Sequence, residues 1–549
     1  MITAPTALPA AGSMMHSPLL ISSILDHAVR CYADVEMVSR RCEGDIHRYT
    51  YADAAKRAKQ LANALQAHGV GLGARVATLA WNGYRHFEIY YAASGMGAIT
   101  HTINPRLFPE QIAYIANHAE DEILFFDLTF LPLVEAVAPK LTTVKAYVLM
   151  ADVNHLPSNT SLPNLQCYED FIAAHSADFA WPAVDENTPA SLCYTSGTTG
   201  NPKGVLYSHR STVLHSYGAN APDGFGLTSD SVVLPVVPMF HVNAWGIPYM
   251  CPAFGCKLVF PGPAMDGASL YQLFESEAVT LSAGVPTVWL GLLNHLRANN
   301  LRFSTFKETV IGGSACPPAM LREFEEVHGI TVVHAWGMTE LSPLGTVCRL
   351  KPAQKLLSAD AQFAIKAKQG RSVFGVEMKI VGSDGVTLPQ DGKAFGDLHV
   401  RGNWVCERYF NEAESALVNG WFPTGDVATI DADGFMQITD RSKDVIKSGG
   451  EWISSIDLEN LAMAHPAVME AAVIGVPHAK WDERPIVLVV LKAGVTLTGA
   501  ELLQFYEGKI AKWWMPDDVV FVDALPHTAT GKLLKTKLRE EYRGYLLAK

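Results

Sequence analysis

Short apolar segments alternate with amphipathic helices through most of the chain. Strand-like segments are found at residues 75–80, 123–127, 145–150, 231–237, 257–260 and 278–282. Helices are predicted over residues 51–68, where Gly69 follows as a stop signal, and over residues 86–97. Short strands separated by helices are typical of βαβ units and of a mainly parallel sheet. We therefore predict an α/β fold whose large N-terminal region holds two doubly wound βα subdomains.

The texture changes after about residue 370. Gly- and Asp-rich turns recur at residues 382–385, 390–392 and 431–434. Such turns join short antiparallel strands, so we predict a small β subdomain over about 350–438. A compact α+β region follows, with strands predicted at 470–475 and 485–491.

A polar stretch, residues 440–444 (DRSKD), joins these two regions. A solvated linker would have the same composition. The domain prediction is a flexible N-terminal extension over 1–16, an N-terminal domain over 17–439, a hinge over 440–444 and a mobile α+β C-terminal domain over 445–549.

Length and charge exclude several classes of protein. A chain of 549 residues is expected to form several cores. A net charge of −12 and a pI near 5.9 argue against nucleic-acid binding, which needs a clustered basic face. The nine cysteines include no Cys-x-x-Cys pair, so a reducing, cytoplasmic location is expected. No apolar run has the length of a membrane span, and the first residues lack the basic start of a signal peptide.

A loop rich in glycine and hydroxyl groups follows a buried strand predicted at residues 191–194. Its glycines allow the backbone to approach a ligand, and successive N–H groups in such a turn form an anion-binding concavity. Lys203 adds a charge suited to phosphate, although the spacing does not fit a Walker A loop. The candidate phosphate ligands are Thr195, Ser196, Gly197, Thr198, Thr199, Gly200 and Lys203.

Residues 194–205 (YTSGTTGNPKGV) resemble the AMP-binding loop of the adenylate-forming superfamily, which includes acyl- and aryl-CoA synthetases, adenylation domains and luciferases. Further motifs follow in the order of that family across nearly the whole chain. They are PMFHVNAWG (238–246), AWGMTE (335–340), WFPTGD (421–426), DRSKDVIKSGGE (440–451) and PHTATGK (526–532).

The resemblance implies roles for carboxylates that alone would be ordinary solvated or turn-forming side chains. It implies that Glu340 holds Mg²⁺ and acts in catalysis with Thr195, and that Thr339 touches the α-phosphate. It places Asp426 on the ribose, with Arg441 adding a ribose or phosphate contact. The walls around adenine and the acyl group would be Gly313, Ser314, Ala315, Ala335, Trp336, Gly337 and Met338.

His241 lies between Phe240 and Val242, a setting that alone is typical of a buried core histidine. The resemblance implies instead that it gates and orients the substrate carboxylate. The implied substrate residues are His241, Val242, Asn243, Trp245, Gly312 and Gly337.

Two C-terminal motifs are implied to serve the site in turn. Lys532 would neutralise charge on the α-phosphoryl and carboxylate oxygens during adenylation. Rotation about Asp440 would then replace it by the face that binds CoA. His527 stands where relatives often carry Arg or Lys. The implied ligands on the second face are Lys443, Ser448, Gly449, Gly450 and Glu451.

The resemblance predicts an acyl-CoA synthetase that uses ATP, Mg²⁺ and CoA to convert a carboxylate into acyl-CoA, AMP and pyrophosphate. The motifs are most similar to those of bacterial medium-chain fatty acyl-CoA ligases and 3-(methylthio)propionate–CoA ligases, and Trp245 could shorten the tunnel for a small acid. An adenylation enzyme with another acceptor, a luciferase-like oxidase and a non-catalytic AMP-binding sensor remain alternatives. The expected partners are small molecules, without nucleic acid or membrane span, and relatives suggest a homodimer.

Overall fold

The computed structural model describes residues 13–195, 201–448, 451–527 and 533–547. In this part of the chain the α-helices are α1 (Ile21–Tyr32), α2 (Tyr51–Ala67), α3 (Tyr84–Gly95), α4 (Pro109–Ala119), α5 (Leu131–Val137), α6 (Tyr168–Ala173), α7 (His209–Ala219), α8 (Ile247–Phe254), α9 (Gly267–Ser276), α10 (Pro286–Asn299), α11 (Pro318–Arg322), α12 (Ala359–Lys366), α13 (Ser455–Met463), α14 (Gly499–Tyr506) and α15 (Lys535–Glu541). None of these helices is both long and apolar enough to cross a membrane.

The strands of the same described residues are β1 (Glu36–Arg40), β2 (Ile46–Thr50), β3 (Arg75–Leu79), β4 (Ile99–Thr102), β5 (Asp121–Phe126), β6 (Ala146–Leu149), β7 (Gln166–Cys167), β8 (Pro189–Tyr194), β9 (Gly204–Ser208), β10 (Val232–Pro235), β11 (Lys257–Phe260), β12 (Leu281–Gly284), β13 (Glu308–Ile311), β14 (Thr331–Gly337), β15 (Leu344–Cys348), β16 (Arg371–Ser372), β17 (Val376–Val381), β18 (Phe395–Gly402), β19 (Phe422–Ile430), β20 (Met436–Arg441), β21 (Ile446–Ser448), β22 (Glu451–Ile453), β23 (Val468–His478), β24 (Asp482–Leu491) and β25 (Asp518–Phe521).

Two large, mainly parallel sheets form the N-terminal region. One has seven strands in the order β7-β6-β5-β3-β4-β8-β9, and β9 runs antiparallel to β8. The other has nine strands in the order β16-β15-β14-β13-β12-β10-β11-β1-β2, with antiparallel strands at both ends. The predicted α/β class with two doubly wound subdomains is confirmed.

The main hydrophobic core joins these two sheets. It contains residues from strands of both, together with α1, α2, α3 and α8. Every residue of α3 is buried, which places this helix in the interior rather than on the surface. A separate apolar cluster packs mainly on the seven-stranded sheet with α4 and α5, and another on the nine-stranded sheet with α9 and α10. The two sheets are therefore held in a fixed relationship by one shared core.

Two smaller sheets follow along the chain. Strands β17 to β20 form a four-stranded antiparallel sheet, and β21 to β25 form a five-stranded sheet with α13, α14 and α15. Hydrogen bonds link the two units, since Ser454 Oγ donates to Thr439 O at 2.5 Å and Ser455 N donates to Asp440 Oδ2 at 2.6 Å.

Several predicted boundaries require correction. The β subdomain begins at Val376 rather than near residue 350, because residues 344–348 and 371–372 pair with the nine-stranded sheet. The strand predicted at 278–282 begins only at Leu281, since Ala278 adopts a positive φ of 54° at the end of α9. The antiparallel pair β1 and β2 was not predicted.

Candidate active site

The phosphate loop and the predicted motifs at residues 238–246 and 335–340 lie at the carboxyl ends of parallel strands. Strands β10, β12, β13 and β14 are neighbours in register, so the loops that follow them emerge on one edge of the nine-stranded sheet. Ligands of open α/β sheets bind in the crevice at this edge. The loop after β8, at the corresponding end of the seven-stranded sheet, carries the phosphate motif.

The phosphate loop is closed at its base by Thr195 and Lys203. Thr195 N donates to Lys203 O at 2.9 Å, and Lys203 N donates to Thr195 Oγ1 at 3.2 Å. The Lys203 ammonium lies 4.8 Å from the centroid of the Tyr409 ring. The remaining predicted ligands of this loop, Ser196, Gly197, Thr198, Thr199 and Gly200, lie outside the described residues.

Glu340 lies in a short turn, Thr339–Leu341, directly after β14. Its side chain is buried, and the phenol of Tyr409 donates a hydrogen bond to Glu340 Oε1 at 2.7 Å. Burial raises the pKa of Glu340, and the bond from Tyr409 and the charge of Arg441 oppose this shift. A buried carboxylate of this kind gains from a nearby cation, which is the property expected of a metal ligand.

Asp426 contacts two other predicted site residues through its carboxylate. Trp336 Nε1 donates to Asp426 Oδ2 at 3.0 Å, and Arg441 Nε lies 2.8 Å from Asp426 Oδ1. The pair Asp426 and Arg441 also face each other across β19 and β20. Asp426 is 2 % exposed, so these two donors fix the orientation of its carboxylate.

Residues 242–246 form a left-handed turn after His241. Their φ angles are 46°, 49°, 48°, 57° and 81°, and only the last belongs to a glycine. Left-handed backbone costs a non-glycine residue roughly 1–2 kcal/mol. Strain of this kind concentrates at ligand sites and switches, where the surrounding structure holds it in place.

The side chain of Asn243 anchors this turn. Its Nδ2 donates to Ser191 Oγ at 3.0 Å, while its Oδ1 accepts from Tyr90 Oη at 3.3 Å and Cys193 Sγ at 3.5 Å. Val242 belongs to a small buried apolar cluster with Cys193, Val205 and Tyr207. The side-chain amide of Asn243 is thus hydrogen-bonded within the protein, and two of its partners, Ser191 and Cys193, lie on β8, the strand that leads to the phosphate loop.

Trp245 lies against the backbone that follows β13. A Cβ placed at Gly312 would lie 3.1 Å from the Trp245 ring and 2.9 Å from Ala335 O. The lack of a side chain at Gly312 therefore permits both the indole and Ala335 O of β14 to come close to this backbone. The neighbouring Gly313 has a φ of +80°, and a Cβ placed at Gly337 would lie only 2.2 Å from Pro343 O.

The other predicted wall residues lie around these contacts. Gly313 and Ser314 are exposed, Ala315 and Met338 are half-buried, and Ala335 and Thr339 are buried. Behind them, Tyr207 Oη donates to Thr339 O at 2.6 Å.

In the predicted hinge, Asp440 is buried and accepts hydrogen bonds from the backbone of Arg441 and Ser455. Lys443 is exposed, and Ser448 Oγ accepts from Arg484 Nη1 at 3.2 Å. The predicted residues Gly449, Gly450 and Lys532 and the side chain of Glu451 lie outside the described residues. His527, which does lie within them, pairs with Glu470 at 2.6 Å.

Sequence reasoning missed Tyr207 and Tyr409. Tyr207 follows the phosphate loop on β9, where alternation with Val205 could have indicated an inward side chain. Tyr409 lies in a segment without regular structure and offered no such signal.

Two family models match successive parts of the chain, and full-length relatives are also found. The model of the AMP-binding enzyme family matches residues 25–410, and that of the AMP-binding enzyme C-terminal domain matches residues 457–532. A 3-methylmercaptopropionyl-CoA ligase from Ruegeria pomeroyi is 55% identical over 97% of this chain and 99% of its own. A medium-chain-fatty-acid–CoA ligase from Ectopseudomonas oleovorans is 50% identical over 98% of both chains.

A solved structure supports the same assignment. The anthranilate CoA ligase AuaEII, in complex with anthranoyl-AMP, superposes with a TM-score of 0.84 at 25% identity, covering 97% of this chain and 99% of that one. The resemblance found in the motifs is confirmed over the full length. The chain therefore belongs to the AMP-binding enzyme family, and within it to the acyl-CoA ligases.

Proposed function

We propose that this acyl-CoA ligase activates 3-(methylthio)propionate with ATP and transfers the acyl group to CoA. The observation that carries the choice of a short acid is the packing of Trp245 against Gly312, since an aromatic ring at this position would shorten the acyl pocket. The similarity to a 3-methylmercaptopropionyl-CoA ligase supports the same acid. Medium-chain fatty acids are the second candidate, because a medium-chain ligase is nearly as similar.

The reaction has two steps. A carboxylate oxygen attacks the α-phosphorus of ATP, and the bond to pyrophosphate breaks to give an acyl adenylate. The thiol of CoA then loses its proton and attacks the acyl carbonyl carbon, and AMP leaves. In this scheme Lys203 and the phosphate loop bind the departing pyrophosphate, Thr339 contacts the α-phosphate and Asp426 accepts the ribose hydroxyls.

Mg²⁺ would be held by the carboxylate of Glu340. The chemistry of this side chain suits Mg²⁺, which prefers oxygen ligands. Burial disfavours the charged form of the Glu340 carboxylate, and a bound cation would stabilise that form. When bound, the ion offsets negative charge on the phosphates. The protein's own contribution is to hold Glu340 in place through Tyr409 and the turn after β14.

His241 and Lys532 complete the proposed machinery. His241 directly precedes the strained turn of residues 242–246, and it would orient the substrate carboxylate. Lys532 would donate to the reacting oxygens during adenylation. We propose that rotation about Asp440 then brings the face of residues 443–451 to the site for thioester formation.

The test of the substrate compares kcat/KM for CoA-thioester formation across straight-chain acids of about two to twelve carbons and 3-(methylthio)propionate. We expect the highest kcat/KM with 3-(methylthio)propionate and a decline of at least about tenfold for chains beyond eight carbons, as expected for a pocket closed by an aromatic ring. A maximum at eight to ten carbons would instead establish the medium-chain assignment.

The acceptor is tested separately by analysing products with and without CoA. We expect acyl adenylate to persist without CoA and to be converted to acyl-CoA when CoA is added. Acyl adenylate that persists despite added CoA would support an adenylation enzyme with another acceptor, and no pyrophosphate release at all would support a sensor.

A further inference from the structure

A short segment, residues 406–410, connects the phosphate loop to the turn that carries Glu340. At one end, Cys406 N donates to Glu340 O at 2.7 Å. At the other end, Phe410 N donates to Gly204 O at 2.8 Å, directly after Lys203. The backbone of this segment therefore spans the two sides of the nucleotide site, although it belongs to none of the family motifs recognised in the sequence.

The side chain of Tyr409 adds a second connection in the same place. Its phenol donates to Glu340 Oε1 at 2.7 Å, and its ring faces the Lys203 ammonium at 4.8 Å. Phe422 of β19 supports the ring from the edge at a centroid distance of 6.3 Å. One aromatic side chain thus contacts both the candidate metal ligand and the candidate phosphate lysine.

We propose that Tyr409 is a positioning residue of the adenylation site, whose hydroxyl orients the Glu340 carboxylate and whose ring holds the Lys203 ammonium. This inference rests on the proposed roles of Glu340 and Lys203. It goes beyond those roles because it states that a third residue, Tyr409, keeps the Glu340 carboxylate and the Lys203 ammonium in place relative to each other.

The physical argument has two separable parts. A carboxylate that donates a lone pair to a metal must keep one orientation, and a hydrogen bond from a phenol restricts its rotation. A lysine side chain loses considerable rotamer freedom when it binds phosphate, and a preceding cation–π contact at an exposed position reduces that cost. Lys203 is exposed, so its ammonium is otherwise free to move in solvent, and the cation–π contact with the Tyr409 ring restricts that movement.

Two substitutions distinguish these parts. Tyr409→Phe removes the hydroxyl and keeps the ring, whereas Tyr409→Leu removes both. The assay is ATP–pyrophosphate exchange driven by 3-(methylthio)propionate, or by octanoate if that acid is preferred, at a series of free Mg²⁺ concentrations. Tyr51→Phe is the matched control, because that buried phenol donates to Cys256 O at 2.7 Å in another part of the fold.

For Tyr409→Phe we expect the Mg²⁺ concentration for half-maximal exchange to rise by about tenfold, with the KM for the acid unchanged. Tyr409→Leu should show the same rise and in addition an increase of about threefold to tenfold in the KM for ATP. Tyr51→Phe should match the wild type in every parameter. Thermal unfolding of each variant identifies one that has failed to fold, and Tyr409→Phe is conservative enough to carry the test alone.

A double-mutant cycle with Glu340→Gln separates positioning from a general structural role. If Tyr409 acts through Glu340, Tyr409→Phe should have no further effect on Mg²⁺ dependence in the Glu340→Gln background. An additive effect, or a Tyr409→Phe enzyme with wild-type Mg²⁺ dependence, would overturn the inference and leave the proposed function standing. A Glu340→Gln enzyme with wild-type Mg²⁺ dependence would overturn the inference together with the proposed role of Glu340 as a metal ligand, whereas the substrate proposal is tested by the acid series.

Discussion

Trp336 donates a hydrogen bond from its indole nitrogen to the buried carboxylate of Asp426 at 3.0 Å. Trp336, proposed to line the adenine pocket, therefore orients Asp426, proposed to bind the ribose, through a direct hydrogen bond. Without this donor one carboxylate oxygen would be buried and unpaired, a loss of about 1–3 kcal/mol. We expect Trp336→Phe to raise the KM for ATP by about tenfold with little change in kcat, measured by steady-state kinetics at saturating acid and CoA.

Trp404→Phe is the control for this prediction. Its indole is also buried, but its N–H donates to Leu344 O at 3.0 Å and not to Asp426. An unchanged KM for ATP in Trp336→Phe, or an equal rise in both variants, would contradict a specific contribution of Trp336 to nucleotide binding.

Trp245 is expected to set the length of acid that the enzyme accepts. Replacing the indole by a methyl group in Trp245→Ala opens the space over Gly312, because the ring lies 3.1 Å from where a Cβ there would be. We predict that kcat/KM for ten- and twelve-carbon acids rises by about tenfold relative to the shortest acids, since each buried methylene contributes about 0.8 kcal/mol.

The measurement is the same acid series that defines the wild-type preference. Gly312→Ala is the opposing variant, because its methyl group would press on Trp245 and Ala335 O and should lower activity with every acid. A chain-length profile that does not change in Trp245→Ala would place the end of the acyl pocket elsewhere.

From the sequence, candidate site residues could be named only where they lie within a single recognised motif. Lys203 and Glu340 follow strands of the two mainly parallel sheets, so their position depends on the fold class, which periodicity predicts well. Asp426 lies within β19 of the antiparallel sheet, and only its motif indicated it. Tyr409 was missed because its hydrogen-bond partner lies 69 residues away. A tertiary contact of that kind leaves no trace in local patterning.

Backbone conformation accounts for the remaining differences. That Asn243 faces the acyl group stays a prediction, and the structure adds hydrogen bonds of its amide with Ser191 and Tyr90 that the sequence did not indicate. The left-handed turn that directs it there contains one glycine among five residues, so composition gave little indication of it. Helix α3 is likewise buried on every side, which removes the amphipathic period that would have fixed its ends.

Lys535 forms a buried ion pair beneath the proposed hinge. Its ammonium lies 2.7 Å from Glu459 Oε1 and 2.5 Å from Ser455 Oγ, and the backbone of Ser455 in turn binds Asp440. Lys535→Met would leave Glu459 buried and unpaired, which costs about 3–5 kcal/mol. We expect faster amide hydrogen exchange in α13 and α15 and a lower unfolding temperature for the C-terminal region.

The double variant Lys535→Met/Glu459→Gln is the critical comparison. The introduced amide carries no charge, and its oxygen could still accept the hydrogen bond that Val473 N donates to the Glu459 carboxylate at 2.7 Å. Most of the lost stability should return if the unpaired charge is the cause. A double variant as unstable as Lys535→Met would show that packing of the lysine stem matters more than its charge.

His334 gives a prediction for pH. Cys316 N donates to His334 Nε2 at 3.2 Å, so the ring proton must lie on Nδ1, which is 3.0 Å from Ala367 O. Burial lowers the pKa of His334 to about 4. In the unfolded chain the pKa returns to about 6.5, so the unfolded state takes up a proton first as the pH falls. This contribution to stability is therefore complete above about pH 6.5 and is lost between there and about pH 4.

The variant His334→Gln isolates the pH-dependent loss of stability that is due to His334, because glutamine does not titrate in this range. The variant should be less stable than the wild type at pH 7, because the bond that positions Cys316 beside the loop of Gly313 is altered. Between pH 7 and pH 5 the wild type should lose about 2 kcal/mol more than the variant, since one pKa unit corresponds to about 1.4 kcal/mol. Denaturant unfolding of the N-terminal region at pH 7, 6 and 5, followed by tryptophan fluorescence, measures this difference. A gap between the two proteins that stays constant with pH would show that the folded state accepts the proton at His334 without penalty, and that the hydrogen bond from Cys316 does not keep the ring neutral.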